Sequence, residues 1–155
     1  MYEKHPIQLV SVSYHKLSIE LNQKQQENLT SEIDENSNSF QMRFAHSEYD
    51  KEMKSIGVKL NISIGYEYDG VSTPQKISNC DFYLEVTVEG IFLVDESLFP
   101  IDKIESWASS NAPLVLYSYA REAAFSLTNR LDKNSAAILP LLSVPTFRIV
   151  QPNNK

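Results

Sequence analysis

Residues Ile56 to Tyr68 read IGVKLNISIGYEY, and every even position in this stretch carries an apolar or aromatic side chain. The odd positions hold glycine, lysine, asparagine, serine or glutamate. Successive side chains of a strand point to opposite faces, so this period of two predicts a long β-strand with one buried face. The dipeptides Asp69-Gly70 and Thr73-Pro74 then mark a turn.

Three further segments predict strands beside this one. Ile7 to Leu21 alternates, but its apolar phase changes between Tyr14 and Leu17, which indicates a β-bulge or a strong twist. Phe40 to His46 alternates throughout, and Lys76 to Val94 places apolar side chains on one face and acidic ones on the other. Consecutive strands joined by turns predict an antiparallel sheet with one apolar face.

Helical segments that could cover this apolar face follow the fourth strand. Ile101 to Ser109 predicts a short helix, and Ser118 to Leu131 predicts a longer one with Ser118 as its N-cap. A stripe at i, i+3, i+4 and i+7 of the longer helix fits either packing on its own sheet or a helix contact between subunits. The stripe consists of Ala120, Ala123, Ala124 and Leu127. We therefore expect a single α+β domain over residues 1–155, with a four-stranded antiparallel sheet followed by a long helix.

Two segments lack a regular pattern. Residues 22–39 are polar, and we interpret them as a long exposed connection with a short helical turn around residues 31–33. Residues 132–135 are polar as well, and the apolar segment 138–145 that follows contains two prolines. Proline excludes a helix interior or a central strand, so we expect this segment to lie extended against other apolar surface.

Composition excludes several classes of function. The chain has 155 residues and a net charge of −6, which disfavours binding to nucleic acid or to anionic membranes. Cys80 is the only cysteine, so a structural zinc site of several thiolates is excluded. The N-terminus lacks the pattern of a signal peptide, and no apolar run approaches the ~18 residues of a membrane span. We expect a cytoplasmic protein.

Catalytic patterns are missing from the sequence. His5, His15 and His46 lack metal-binding spacing, and the four glycines form no phosphate-binding loop. Cys80 has no histidine close in sequence, and acids such as Glu85 fit a solvated strand face better than a carboxylate pair. We expect no enzymatic activity, no cofactor and no metal. Surplus aromatic surface around the longer helix favours a binding function instead.

Several motifs are similar to those of the SecB family of chaperones. The stretch Tyr119-Ala120-Arg121-Glu122, preceded by an apolar run from Asn111, resembles the SecB helix signature. Glu85 to Phe92 looks like the fourth SecB strand with its Gly-Ile-Phe ending, and Leu139 to Phe147 resembles the proline-rich crossover loop. The resemblance covers about Ile7 to Phe147, and residues 132–155 then correspond to the crossover loop and a short tail.

The resemblance implies a holdase that binds unfolded polypeptides without ATP and assembles as a dimer of dimers, with its helices at the interface between the dimers. It implies a client groove lined by Phe40, Met42, Phe44, Tyr117, Tyr119, Phe125, Leu139, Leu142, Val144 and Phe147. It also matches Glu20 and Glu85 to acids on which the export motor SecA docks.

Departures from the family pattern weaken the link to SecA. Lys16 stands where the family tends to have an acid, and residues 131–137 lack its Arg-Gly-x-Phe pattern. The chain ends at Lys155, where the family's second helix and zinc-carrying tail would be expected. Two kinds of client are open for such a chaperone: proteins that are to be exported, and the antitoxin of a toxin–antitoxin pair. Two other classes of function are open as well: a module that binds an apolar small molecule, and a hydrolase that uses Cys80 or the carboxylates of the fourth strand.

Overall fold

The computed structural model describes residues 3–22, 40–68 and 73–131. A 3-10 turn at Ile101–Lys103 precedes the first helix. The strands are β1 (Ile7–Leu21), β2 (Phe40–His46), β3 (Ser55–Ile64), β4 (Tyr66–Glu67), β5 (Gln75–Lys76) and β6 (Phe82–Val94), and the helices are α1 (Ile104–Ser110) and α2 (Ala112–Thr128).

Four of the strands form the antiparallel sheet that the sequence predicts, in the order β1-β6-β3-β2. The even residues of β3 and β6 point to one face, where α2 packs across both strands. Leu60, Val86 and Leu116 are completely buried in this layer. The predicted fold class is confirmed, with α2 as the cover of the apolar face.

Strand β1 contains two bulges where the sequence predicted one change of phase. The register shifts between Tyr14 and Lys16, as expected, and also between Leu9 and Ser11. A bulge inserts one unpaired residue, so each shift exchanges the parity of the buried face. The second bulge turns Val10 outward, where 52% of its surface is exposed. Val10 shares its parity with Val12 and Tyr14, which predicts the inner face for all three, and for Val10 this prediction is wrong.

The long central strand ends earlier than predicted. It stops at Ile64 because Gly65 adopts a φ of 82°, and a Cβ there would lie 2.8 Å from the Phe82 carbonyl oxygen. The chain then leaves the sheet, and β4 pairs with β5 as a separate two-stranded ladder. The predicted fourth strand accordingly begins at Phe82, not at Lys76.

Helix α2 begins six residues before the predicted N-cap. Its N-cap is Asn111, and Pro113 lies in its first turn, where a missing N–H costs no hydrogen bond. Ser118 is therefore inside the helix, and its hydroxyl donates to the Val115 carbonyl 2.8 Å away. The predicted short helix is confirmed as the 3-10 turn followed by α1.

Helix α2 packs closely on the sheet at Gly90. A Cβ added there would lie 2.6 Å from a Leu116 methyl carbon and 2.9 Å from one of Leu9. Glycine thus provides the space in which Leu116 packs directly on β6.

Several predictions fall on residues outside the described part of the chain. These are the connection over residues 23–39 with its helical turn, and the whole segment 132–155. Asn22, which was assigned to the exposed connection, is buried instead, and its amide donates to the carbonyls of Ser78 and Cys80 at 2.9 and 2.8 Å. In the described ranges, no helix is both long and apolar enough to cross a membrane.

Candidate functional site

An apolar surface lies along β2, on the side of the sheet that carries α2. Phe40, Met42 and Phe44 pair with Ile64, Ile62 and Leu60, and they share the buried face of those residues. Phe40 packs edge-on against Tyr117, with ring centroids 6.3 Å apart. Exposure increases along the strand, from half-buried Phe40 and Met42 to Phe44 at 45%. We call Phe40, Met42, Phe44 and Tyr117 the β2 surface.

Strand β2 is an edge of the sheet. Its main chain pairs with β3 on one side, and no other described strand pairs with it. An edge strand presents unpaired N–H and C=O groups that an added strand can use. The β2 surface therefore combines a strand edge with which no described strand pairs and a row of apolar side chains.

A second apolar surface lies along β1, on the other side of α2. Tyr14 and Leu17 pair with Val88 and Val86, so they point towards the helix layer, yet they remain 40% and 50% exposed. The Tyr14 hydroxyl donates to the main-chain carbonyl of Tyr119, 3.3 Å away. Burial, and secondarily the Glu122 carboxylate, raise the pKa of Tyr14. We call Tyr14, Leu17 and Tyr119 the β1 surface.

Sequence reasoning did not assign Tyr14 and Leu17 to a functional surface. The sequence did contain a signal for them. Tyr14 and Leu17 are apolar residues on either side of the change of phase within β1, so both are predicted to face inward. Their exposure depends on where α2 lies. The helix lies mainly over β6 and β3, so Tyr14 and Leu17 on the inner face of β1 are left partly exposed.

The predicted groove residues on α2 do not lie together. Tyr117 is buried on the β2 side, whereas Tyr119 contacts β1. Phe125 lines an open depression of about 410 Å³ with Ser118, Arg121 and Glu122. Only Tyr117 joins the β2 surface, so the inclusion of Tyr119 and Phe125 in one groove with β2 is corrected. The remaining groove residues, Leu139, Leu142, Val144 and Phe147, lie outside the described residues.

The alanine stripe of α2 packs on its own sheet. Ala120 and Ala124 have no exposed surface, and Ala123 is buried as well. Leu127 is half-buried against the same core. Small side chains bring the helix backbone close to the sheet. The expected subunit contact through these alanines is therefore corrected, because they have almost no surface left for a neighbouring subunit.

The opposite face of the sheet carries the two acids matched to SecA docking, and both are engaged in ion pairs. Glu85 is only 8% exposed, accepts a hydrogen bond of 3.1 Å from the Asn61 amide and pairs with Lys16. The hydrogen bond to Glu85 raises the pKa of Lys16. Glu20 pairs with the ammonium group of Lys76. Both carboxylates are thus partly neutralised within the chain.

The lone cysteine offers no accessible nucleophile. Cys80 is completely buried, so a substrate cannot reach its thiol. On the outer face, Nε2 of His15 lies 2.6 Å from a carboxylate oxygen of Glu89. The two apolar surfaces beside α2 can bind apolar chain segments.

The chain matches no protein-family model and no curated protein sequence. Its structure is similar to that of a SecB-like chaperone from Mycobacterium tuberculosis, solved in complex with a ChAD peptide from the HigA1 antitoxin. The TM-score is 0.60 at 15% identity, over 91% of this chain and 94% of that chain. A protein of unknown function from Streptococcus agalactiae is also similar, with a TM-score of 0.44 at 12% identity over 87% of this chain and 97% of that chain. The likeness to the chaperone shows that this chain has a SecB-like fold.

Proposed function

We propose that this protein is an ATP-independent holdase that binds unfolded polypeptides on the β2 surface. The observation that carries the proposal is a row of apolar side chains ending in exposed Phe44, beside a strand edge with which no described strand pairs. An extended client can add a strand there, and its alternate side chains then pack on the row. The seven residues of β2 offer about 23 Å of edge to such a strand.

Main-chain pairing explains how such a surface could accept many sequences. Hydrogen bonds along the edge are independent of side-chain identity, so they supply affinity without specificity. The apolar row selects only for clients that present apolar residues at alternate positions. Segments of this kind are buried in folded proteins and exposed in unfolded ones, which restricts binding to unfolded chains.

We propose further that the β1 surface joins subunits and that the protein is a homotetramer built as a dimer of dimers. Strand β1 is the longer edge of the sheet, with 15 residues, and Tyr14 and Leu17 remain exposed beside it. Long edges with apolar flanks associate unless they are covered. Leu17→Glu places a charge in this surface and should reduce the molar mass measured by light scattering. An unchanged tetramer would assign the contact to another surface.

The client class that we favour is a dedicated polypeptide, such as an antitoxin, over the general pool of exported proteins. The similar chaperone was solved with an antitoxin peptide, which supports this choice. The ion pairs of Glu20 and Glu85 support it as well, because neutralised carboxylates attract a basic docking partner weakly. Delivery to SecA remains the second possibility within the same function.

The direct test is suppression of aggregation. A chemically unfolded client is diluted into buffer with increasing amounts of this protein and no nucleotide, and light scattering is followed. We expect aggregation to fall until one assembly is present per client chain, and added ATP to change nothing. A protein that leaves scattering unchanged at tenfold excess is no holdase.

A further inference from the structure

An apolar cleft opens between the start of β1 and the two helices. Its walls come from strand residues beneath and from helix residues above, and its volume is about 380 Å³. The sole tryptophan, Trp107, stands edge-on to Phe92 with ring centroids 5.1 Å apart. The apolar lining consists of Ile7, Leu9, Phe92, Trp107, Leu114 and Val115, and we call this the Trp107 cleft.

The polar groups of the cleft have partners inside the chain. His5 and Asn111 are the polar residues of the lining. The Ile7 amide donates to Nδ1 of His5 at 3.1 Å, and the Ser110 hydroxyl donates to Oδ1 of Asn111 at 2.8 Å. No lysine, arginine, aspartate or glutamate is among the described lining residues. An uncharged ligand is therefore favoured, since a charged group would lose its hydration without gaining an opposite charge.

The ring geometry indicates an aromatic ligand. The His5 ring lies 6.2 Å from the Trp107 ring at an angle of 33°, so one aromatic ring already packs beside the indole. Offset and edge-on contacts of this kind are those that aromatic pairs prefer. Pockets of roughly 300–1,000 Å³ with mainly apolar walls hold small ligands, and the cleft lies at the lower end of this range.

We propose that the Trp107 cleft binds an uncharged aromatic side chain of a polypeptide client. This inference rests on the proposed holdase function and adds a second anchor to it. Helix α1 packs against β2 on one side and supplies Trp107 to the cleft on the other, so it connects the cleft to the β2 surface. The cleft accommodates one side chain, whereas a subunit interface needs about 800 Å² on each partner, so a single anchor fits better than a second copy.

Fluorescence of Trp107 tests the proposal, because it is the only tryptophan of the chain. The probe is N-acetyl-phenylalanine amide, and N-acetyl-alanine amide is its matched control. We expect a saturable change in emission with the first amide alone. Leu114→Gln should weaken it at least fivefold, whereas Phe125→Gln, in a separate depression and at a residue that is 43% exposed, should leave it unchanged. If Leu114→Gln does not fold, the more exposed Val115→Gln replaces it.

A second titration, with a peptide, tests whether the bound aromatic ring belongs to a polypeptide or to a small molecule. A twelve-residue apolar peptide with one phenylalanine should bind more tightly than the amide, and its phenylalanine-to-alanine version should lose the emission change. Equal effects of both amides, or no saturable effect, would overturn the proposal. So would a free amide that binds more tightly than the peptide, which indicates a small-molecule site, or an emission change on dilution without ligand, which indicates a subunit contact.

The aggregation assay distinguishes a failure of the second anchor from a failure of the holdase function. Loss of the Trp107 response in a protein that still suppresses aggregation would remove the second anchor and leave the holdase function intact. A clear response in a protein that does not suppress aggregation would instead contradict the holdase function, and with it the assignment of the ring to a client.

Discussion

Phe44 provides the sharpest test of the β2 surface. About 45% of its side chain is exposed, which is about 90 Å² if a phenylalanine presents about 200 Å² in total. At about 25 cal/mol per Å², covering this area with a client contributes at most about 2.3 kcal/mol. Each 1.4 kcal/mol is about a factor of ten, so Phe44→Ala should weaken client binding by up to about 50-fold. Ordering of the client reduces this value, and we expect about 5- to 50-fold.

Phe125 is the matched control, because its 43% exposure is almost the same and no β2 residue lines the depression that contains it. Affinity is measured by fluorescence anisotropy with a labelled, permanently unfolded protein, at a temperature where circular dichroism shows all variants folded. Phe125→Ala should change the dissociation constant by less than about twofold, because the client does not contact this residue. If both variants lose affinity equally, exposure alone governs binding and the assignment of the client to β2 is incorrect.

Three predictions concern stability and are measured by urea unfolding. Gly90→Ala should cost about 1–3 kcal/mol because its Cβ would meet Leu116 at 2.6 Å, whereas Gly57→Ala, whose nearest atom is 3.4 Å away, should change little. Glu85→Ala should cost about 1 kcal/mol, since it removes the carboxylate that accepts from half-buried Asn61 and pairs with Lys16, and a neutral result would show that water replaces the carboxylate. Lys16 has a raised pKa, so its contribution is present below the ordinary value of 10.5 and is lost as the pH rises through the raised value. The destabilisation by Lys16→Met should therefore disappear in strongly alkaline buffer, and a difference that persists there would assign it to packing.

The four main strands could be predicted from sequence because their apolar residues alternate, but the faces of β1 were predicted only in part, since one of its two bulges was missed. The ends of these elements could not be predicted, because they depend on local conformation. Gly65 ends β3 through a positive φ, although the alternation itself continues to Tyr68. Likewise, α2 begins at Ala112 because Pro113 is tolerated in a first turn, whereas Ser118 resembles a cap only when read in isolation.

The candidate site was predicted in part, and the errors have one physical origin. Aromatic residues close in sequence on a helix do not share a side, since each residue turns by about 100° around the axis. Tyr117, Tyr119 and Phe125 accordingly fall on three different parts of the α2 surface. The inward position of Phe44 could be predicted from period two, but its exposure depends on the tertiary placement of α2 over β6 and β3.

The outer face of the sheet shows why matching single residues to a family pattern is insufficient. The resemblance matches Glu85 to a docking acid, but Lys16, at a position where the family tends to have another acid, pairs with Glu85. Glu20 is paired with Lys76 from the β4–β5 ladder, an element that leaves the main sheet only because Gly65 turns the chain. A basic partner would have to displace both lysines before it could reach these carboxylates. A holdase with this face closed would therefore depend on its apolar surfaces for every partner, which agrees with a dedicated client better than with a motor that docks through charge.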